Sequence, residues 1–245
     1  MTVIAARGAR FGGVELSKPK SASDQRAALA IAALRPSEYT AALIQVLQAN
    51  AACVQGAKVL EIGSGSGVVL AALGASSLCG IDIEEDAVAS GMLLLEELGH
   101  GEMAEFHHGD MWSPVGDRRF DLIVANLPHF PMGDSAIPGR LPTWSAGGLD
   151  GRRLLDPFLE GLRRHLAPGG RVFITHNAFV GVERSREIVE RLGFAFRIVL
   201  TTLVNIPDGK LDRIAAGVLS AEEGRSIHRY GPYAFGEVHI VEIGG

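Results

Sequence analysis

Short apolar runs of strand length alternate along the chain with segments of helical period, and glycines, prolines or acids mark the boundaries. Val59-Leu60-Glu61-Ile62 is apolar apart from one acid and runs into glycines, as a buried parallel strand does. Val68 to Leu73 starts a helix that Gly74 ends, and Ser77 to Asp82 reads as a second strand. A helix over Glu84 to Leu98 follows, then a turn from Gly99 and a short third strand through Phe106 into His107-His108. Phe120 to Ala125 is a fourth strand, and Leu154 to Leu166 a helix ended by Ala167-Pro168-Gly169-Gly170. Arg171 to Thr175 is then a fifth strand, Glu183 to Leu192 a helix and Phe194 to Leu203 a strand. Gly236 to Ile243, rich in β-branched residues, closes the sheet. Strand, glycine turn and helix in this order predict an open parallel sheet with a ligand crevice at its edge.

Upstream of this alternation, residues 1–20 read as an extended arm. Ser23-Asp24 caps a predicted helix through about Leu34, which Arg35-Pro36 breaks. Ser37 caps a second, Glu38 to about Ala49, with Ala42, Leu43, Val46 and Leu47 on one face. The organisation expected is an arm with helices over residues 1–50 and a main domain over 51–245. Two stretches interrupt that domain. One is a substrate loop, 126–150, containing four prolines between Pro128 and Ser145; so long a connection in a compact domain is usually functional. The other is an insertion, 207–232, carrying Lys210, Arg213, Arg225 and Arg229, whose charges either contact substrate or a partner or are simply solvated.

Composition narrows the class. At 245 residues and 47% hydrophobic, the chain can bury a core without disulfides. Cys53 and Cys79 have neither metal nor redox spacing, and His107-His108 has no matching ligands, so no metal is expected. No apolar run approaches the ~18 residues of a membrane span. The N-terminus lacks the apolar stretch of a secretion signal, and a cytoplasmic location is expected. A net charge of −5 argues against a long nucleic-acid footprint.

The candidate chemistry lies between Lys58 and Asn126. After the first strand come Gly63-Ser64-Gly65-Ser66-Gly67. A dinucleotide motif needs glycine where Val68 or Leu70 stands, and no Gly-Lys-Ser/Thr marks a phosphate loop. Asp82, at the end of the second strand, suits a ribose diol. The Gly-x-Gly-x-Gly pattern preceded by Glu61 resembles the first motif of the class I methyltransferases. That resemblance implies S-adenosylmethionine as cofactor, held by Glu61, Gly63, Ser64, Gly65, Gly67, Asp82, Ile83, Asp110, Met111 and Asn126. Asp110 would accept from the adenine amino group and Met111 pack on the ring. It further implies a Rossmann-like, seven-stranded, mostly parallel sheet with helices on both faces and an antiparallel last strand.

Asn126-Leu127-Pro128-His129 follows the fourth strand and resembles the Asn/Asp-Pro-Pro-Tyr/Phe acceptor motif of amino-group methyltransferases, with Leu127 and His129 at the altered positions. An amide nitrogen is a poor nucleophile because its lone pair is delocalised. The Asn126 side-chain oxygen and the Leu127 carbonyl can accept its two N–H groups and stabilise developing charge. Pro128 keeps Leu127 extended. His129, or else Phe130, offers a flat face for stacking.

Leu34 to Thr40 resembles the Pro-Arg-Pro-Glu-Thr segment of the release-factor glutamine methyltransferases, and Ala146 to Arg153 their Gly-Gly-x-Asp-Gly segment. The likeness runs over about residues 34–200 and lacks that family's long N-terminal helical domain. It implies N-methylation of a protein glutamine or an RNA base. Two other readings stand beside it: a small-metabolite methyltransferase, and a non-catalytic S-adenosylmethionine-binding scaffold. His176, at the end of the fifth strand, either reaches substrate or braces a loop. Oligomeric state is not legible.

Overall fold

Each apolar run assigned to a strand forms one. The computed structural model describes residues 36–133 and 145–245. The strands are β1 (Lys58–Ile62), β2 (Ser77–Asp82), β3 (Ala104–His108), β4 (Phe120–Ala125), β5 (Leu166–Asn177), β6 (Ala195–Ile206), β7 (Ile227–Tyr230) and β8 (Tyr233–Gly244). The α-helices are α1 (Glu38–Ala49), α2 (Val68–Leu73), α3 (Glu85–Glu97), α4 (Leu155–His165), α5 (Val182–Arg191), α6 (Asp208–Leu211) and α7 (Ala216–Glu222). The arm and the helix ending near Leu34 lie outside the described residues, as do Pro138, Pro142 and Trp144 of the substrate loop.

The sheet runs β3-β2-β1-β4-β5-β8-β6. Strands β1 to β5 pair in parallel, and β8 lies antiparallel between β5 and β6. The chain winds outward from β1 to β3, then returns to lay β4 on the other side of β1. That reversal opens a crevice at the carboxyl ends of β1 and β4, where ligands of open α/β sheets bind.

Alternation along the strands feeds two cores. Leu60 and Ile62 of β1, with Ile123 and Ala125 of β4, pack towards Phe158, Leu159 and Leu162 of α4. Val59, Leu122 and Val124 face the other way, towards Leu43 and Leu47 of α1 and Leu70 of α2. Helices therefore cover both faces. Ser37 starts α1, its backbone N–H donating to Thr40 Oγ1 at 3.3 Å.

Two expectations are corrected. Among the described residues the sheet has eight strands rather than seven, because the 207–232 insertion contributes β7. Tyr230 and Tyr233 face each other across Gly231-Pro232, a two-residue hairpin turn whose positive φ at Gly231 suits the strand twist. The fifth strand begins at Leu166 rather than Arg171: Leu166 pairs with Phe120, and Ala167-Pro168-Gly169-Gly170 bulges before pairing resumes at Leu122 and Arg171. The breaker residues are present, but the β4 edge holds the chain on both sides of them.

Candidate active site

The carboxyl ends of β1, β2, β4 and β5, with the turn after β3, line a cavity of ≈ 340 Å³. Gly63, Ser64, Gly65 and Ser66 of the turn after β1 line it, and Gly67 does not. Gly63 and Ser64 donate to the Ile81 carbonyl at 2.8 and 3.0 Å, and Gly65 donates to Asp82 Oδ2 at 2.8 Å. Gly67 begins α2 at φ 75, and a Cβ there would lie 2.9 Å from Gly91 Cα of α3. Only glycine lets those two helices approach so closely.

Asp82 is buried, and its Oδ1 accepts from Glu84 N at 3.0 Å. Burial raises its pKa, against the backbone donors that favour the carboxylate. Glu61 is more deeply buried. Desolvation lifts its pKa well above the usual value, the nearby Asp82 charge lifts it further, and the Leu70 backbone hydrogen bond opposes both. Glu61 Oε2 and Ser64 Oγ are buried without a protein partner among the described residues. Burial pushes both acids toward their neutral form, and a ligand bearing positive charge beside the glycine turn stabilises their carboxylates. S-adenosylmethionine carries a sulfonium and an ammonium, so the orphaned acid and the glycine cradle fit it.

Beyond β3, Asp110 is exposed and lines the cavity. Met111 also lines it and packs against the apolar core. Its φ of 48 is the one left-handed non-glycine backbone among the described residues, a strained geometry of the kind found at ligand sites. Ile83, 49% exposed, forms part of the rim.

Asn126, Leu127, Pro128 and His129, which follow β4, also line the cavity. The Asn126 amide is held at both ends: Thr175 Oγ1 donates to its Oδ1 at 2.7 Å, and its Nδ2 donates to Thr40 Oγ1 at 3.3 Å. One lone pair of Oδ1 remains for a further donor. His129 does not offer the open stacking face expected of it. The residue is 4% exposed, with both ring nitrogens engaged. Nδ1–H donates to the Leu127 carbonyl, and Nε2 accepts from Asn177 N at 2.9 Å. Burial lowers its pKa to about 4, keeping it neutral and in one tautomer. Phe130 is enclosed too, set edge-to-face against Phe179 with Lys210 over its ring. His176 is wholly buried between the Asn177 carbonyl and Ser185 Oγ, at 2.8 Å each, and braces β5 rather than reaching the cavity.

The Ala146–Arg153 segment acquires a structural reason. Cβ atoms at Gly147 and Gly151 would lie 2.7 Å from His129 Cα and 2.7 Å from its carbonyl oxygen. Small residues here let the segment lie directly on the acceptor backbone. The buried Arg152 then clamps it to α5, donating to the Val180 and Gly181 carbonyls and to Ser185 Oγ.

Sequence reasoning missed Tyr39, Thr40, Ser145, Arg153 and Asn177 as cavity-lining residues, and Thr175 as the brace of Asn126, while Lys210 is the one of the insertion's four basic residues that lines the cavity among the described residues. The Leu34–Thr40 resemblance carried a signal for Tyr39 and Thr40. The insertion that carries Lys210 is tied to the substrate loop where Ala215 N donates to the Pro131 carbonyl at 2.8 Å. Away from the cavity, Cys79, Glu105 and His107 converge within 4.8 Å. The Arg118 guanidinium pairs with Glu105 and supplies the positive charge there.

The fold and the site define a class I methyltransferase dependent on S-adenosylmethionine, and comparison with known proteins agrees. The methyltransferase small domain family matches residues 35–137. A Methanocaldococcus jannaschii protein, named as a candidate protein N5-glutamine methyltransferase, is 32% identical over 67% of this chain and 85% of its own. The chain belongs to the methyltransferase small domain family. The release factor glutamine methyltransferase of Geobacter sulfurreducens is 32% identical over 46% of this chain, and the match spans only 43% of that longer protein. A T. thermophilus 16S rRNA methyltransferase, solved with S-adenosylmethionine and guanosine, shares the fold at TM-score 0.52 and 18% identity, over 86% of this chain and 43% of that one.

Proposed function

We propose that the protein transfers a methyl group to a planar amide nitrogen of a protein, of the glutamine type. The observation that carries this is the fixed pair of acceptors at Asn126 and Leu127. Thr175 and Thr40 set the Asn126 amide, and the His129 Nδ1–H sets the Leu127 carbonyl. Each oxygen retains a lone pair, and a primary amide has two N–H groups to offer. The named substrates of the relatives, release factors and a ribosomal protein, support a protein acceptor and a cytoplasmic setting. No helix among the described residues is long and apolar enough to cross a membrane.

S-adenosylmethionine, when bound, supplies an electrophilic methyl group on a sulfonium that leaves readily. The chain's part is alignment. Asn126 and Leu127 turn the amide so that its lone pair faces the cofactor side, and Glu61 and Asp82 favour positive charge there. Orientation of this kind supplies roughly 7–11 kcal/mol of a barrier. The His129 and His176 nitrogens are all engaged in hydrogen bonds, so neither ring serves as base, and the proton leaves to water.

The test is transfer of tritiated methyl from S-adenosylmethionine to glutamine-containing peptides and to RNA, with products resolved by amino-acid and nucleoside analysis. N5-methylglutamine supports the reading. Label confined to nucleosides, or no transfer to any amide, refutes it.

A further inference from the structure

Charge in the cavity is divided. Its acids, among the described lining residues, are Glu61 within β1, Asp82 at the end of β2 and Asp110 just after β3, on the proposed cofactor side. Its Lys and Arg residues are Arg153 and Lys210, and both sit by the acceptor segment. Lys210 Nζ lies 4.9 Å from the centre of the Phe130 ring. Arg153 is fixed alongside, its backbone N–H donating to the Gly147 carbonyl and its guanidinium to the Ala146 carbonyl, at 2.8 Å each. Ser145 completes the group: its carbonyl accepts from Phe130 N at 3.0 Å. The Ser145 hydroxyl lines the cavity, 4% exposed as a residue, without a protein partner among the described residues. An unpartnered buried hydroxyl costs stability unless a ligand supplies its hydrogen bond.

The geometry points to an anion subsite beside the acceptor position, where Ser145, Arg153 and Lys210 receive the carboxylate of an acidic residue flanking the methylated amide. This rests on the amide reading and names its substrate class: a glutamine in an acidic peptide segment. Two cations and a hydroxyl donor are the chemistry that recognises a carboxylate; Ser145 is buried, Lys210 half-buried and Arg153 exposed at the rim. The 207–232 insertion thereby acts as a specificity element, because it places Lys210.

The test uses the full chain, tritiated S-adenosylmethionine and peptides with one glutamine flanked by aspartate, alanine or lysine. The aspartate-flanked peptide is expected to exceed the lysine-flanked one in kcat/KM by roughly ten- to hundred-fold, the range of a hydrogen bond to a charged group. The difference should lie in KM, collapse in Lys210→Met and return in Lys210→Arg. Calorimetry with S-adenosylhomocysteine should give one affinity for all three proteins, which also shows that the variants fold. Transfer without flank preference overturns the subsite and leaves the amide reading standing. Weaker S-adenosylhomocysteine binding in Lys210→Met overturns it by assigning the cation to the cofactor's own carboxylate. A preference for an oligonucleotide over every peptide assigns the cations to phosphate and overturns it as well. No transfer to any peptide overturns both readings.

Discussion

Replacing His129 with phenylalanine restores an aromatic residue common at that position of the acceptor motif, and the structure expects it to harm the protein. The His129 ring is 4% exposed and spends both nitrogens on backbone: Nδ1–H on the Leu127 carbonyl, Nε2 on the Asn177 N–H. The substitution keeps the bulk and removes both bonds. A buried N–H left at Asn177 costs about 1–3 kcal/mol and the bond lost at Leu127 about 1 more, so destabilisation of about 2–4 kcal/mol is expected. For a domain of this size that lowers Tm by about 5–15 °C.

A pH series separates this cause from simple misfit. Burial holds the folded His129 pKa at about 4, against 6.5 for a free imidazole. Between those values the unfolded chain binds a proton there that the folded chain does not, so His129's contribution is complete above pH 6.5 and is lost as pH falls. The slope is about 1.4 kcal/mol per pH unit. The variant has nothing to titrate at this position. Glu61 and Asp82, whose pKa values burial raises, contribute stability that is lost as pH rises. They are common to both proteins and cancel in the difference. The variant's deficit should therefore shrink by about 2 kcal/mol between pH 7 and pH 5. Urea unfolding at the two pH values measures it. A variant as stable as the parent at pH 7, or a deficit that does not change with pH, refutes the buried-histidine account.

Three further outcomes are expected. Asn126→Ala should slow turnover by the equivalent of about 2–4 kcal/mol, the scale of losing one developing-charge hydrogen bond, with S-adenosylhomocysteine affinity unchanged; undiminished turnover would remove Asn126 from the reaction. Asp82→Ala deletes the acceptor for Gly65 and Glu84 N–H, and calorimetry should show S-adenosylmethionine binding weakened at least tenfold, on the scale of about 1.4 kcal/mol. Gly147→Ala places a Cβ 2.7 Å from His129 Cα and 2.8 Å from the Gly151 carbonyl oxygen; overpacking against backbone should cost about 1–3 kcal/mol in urea unfolding, and parental stability would show that the two segments can separate.

Much of the architecture is legible in local pattern. β2 and β4 and helix α2 begin and end where the apolar runs and Gly74 place them, because burial on both faces and a glycine stop are properties of a few adjacent residues. The crevice at the sheet's edge is legible for the same reason: Glu61, the glycine turn and Asp82 lie within two adjacent strands and their connections. β7 was not legible, since four residues with two exposed give little periodicity, and β8 makes them a strand. The start of β5 was misread because Pro168-Gly169-Gly170 is a breaker in isolation and becomes a bulge when β4 pairs on either side of it.

The sequence by itself determined β1 to β4, the glycine turn with its neighbouring acids and the place of Asn126 at the end of β4. Spacing along the chain is enough for those, because each rests on neighbours in sequence or on strand ends that a parallel sheet must align. Only the tertiary structure decided what surrounds the acceptor position. Thr40 and Thr175 reach Asn126 from 86 and 49 residues away, and Asn177 reaches His129 from 48. Whether an imidazole stacks on a substrate or satisfies buried backbone groups depends on which donors and acceptors the fold brings to it. The burial of those groups leaves no water to do that work instead.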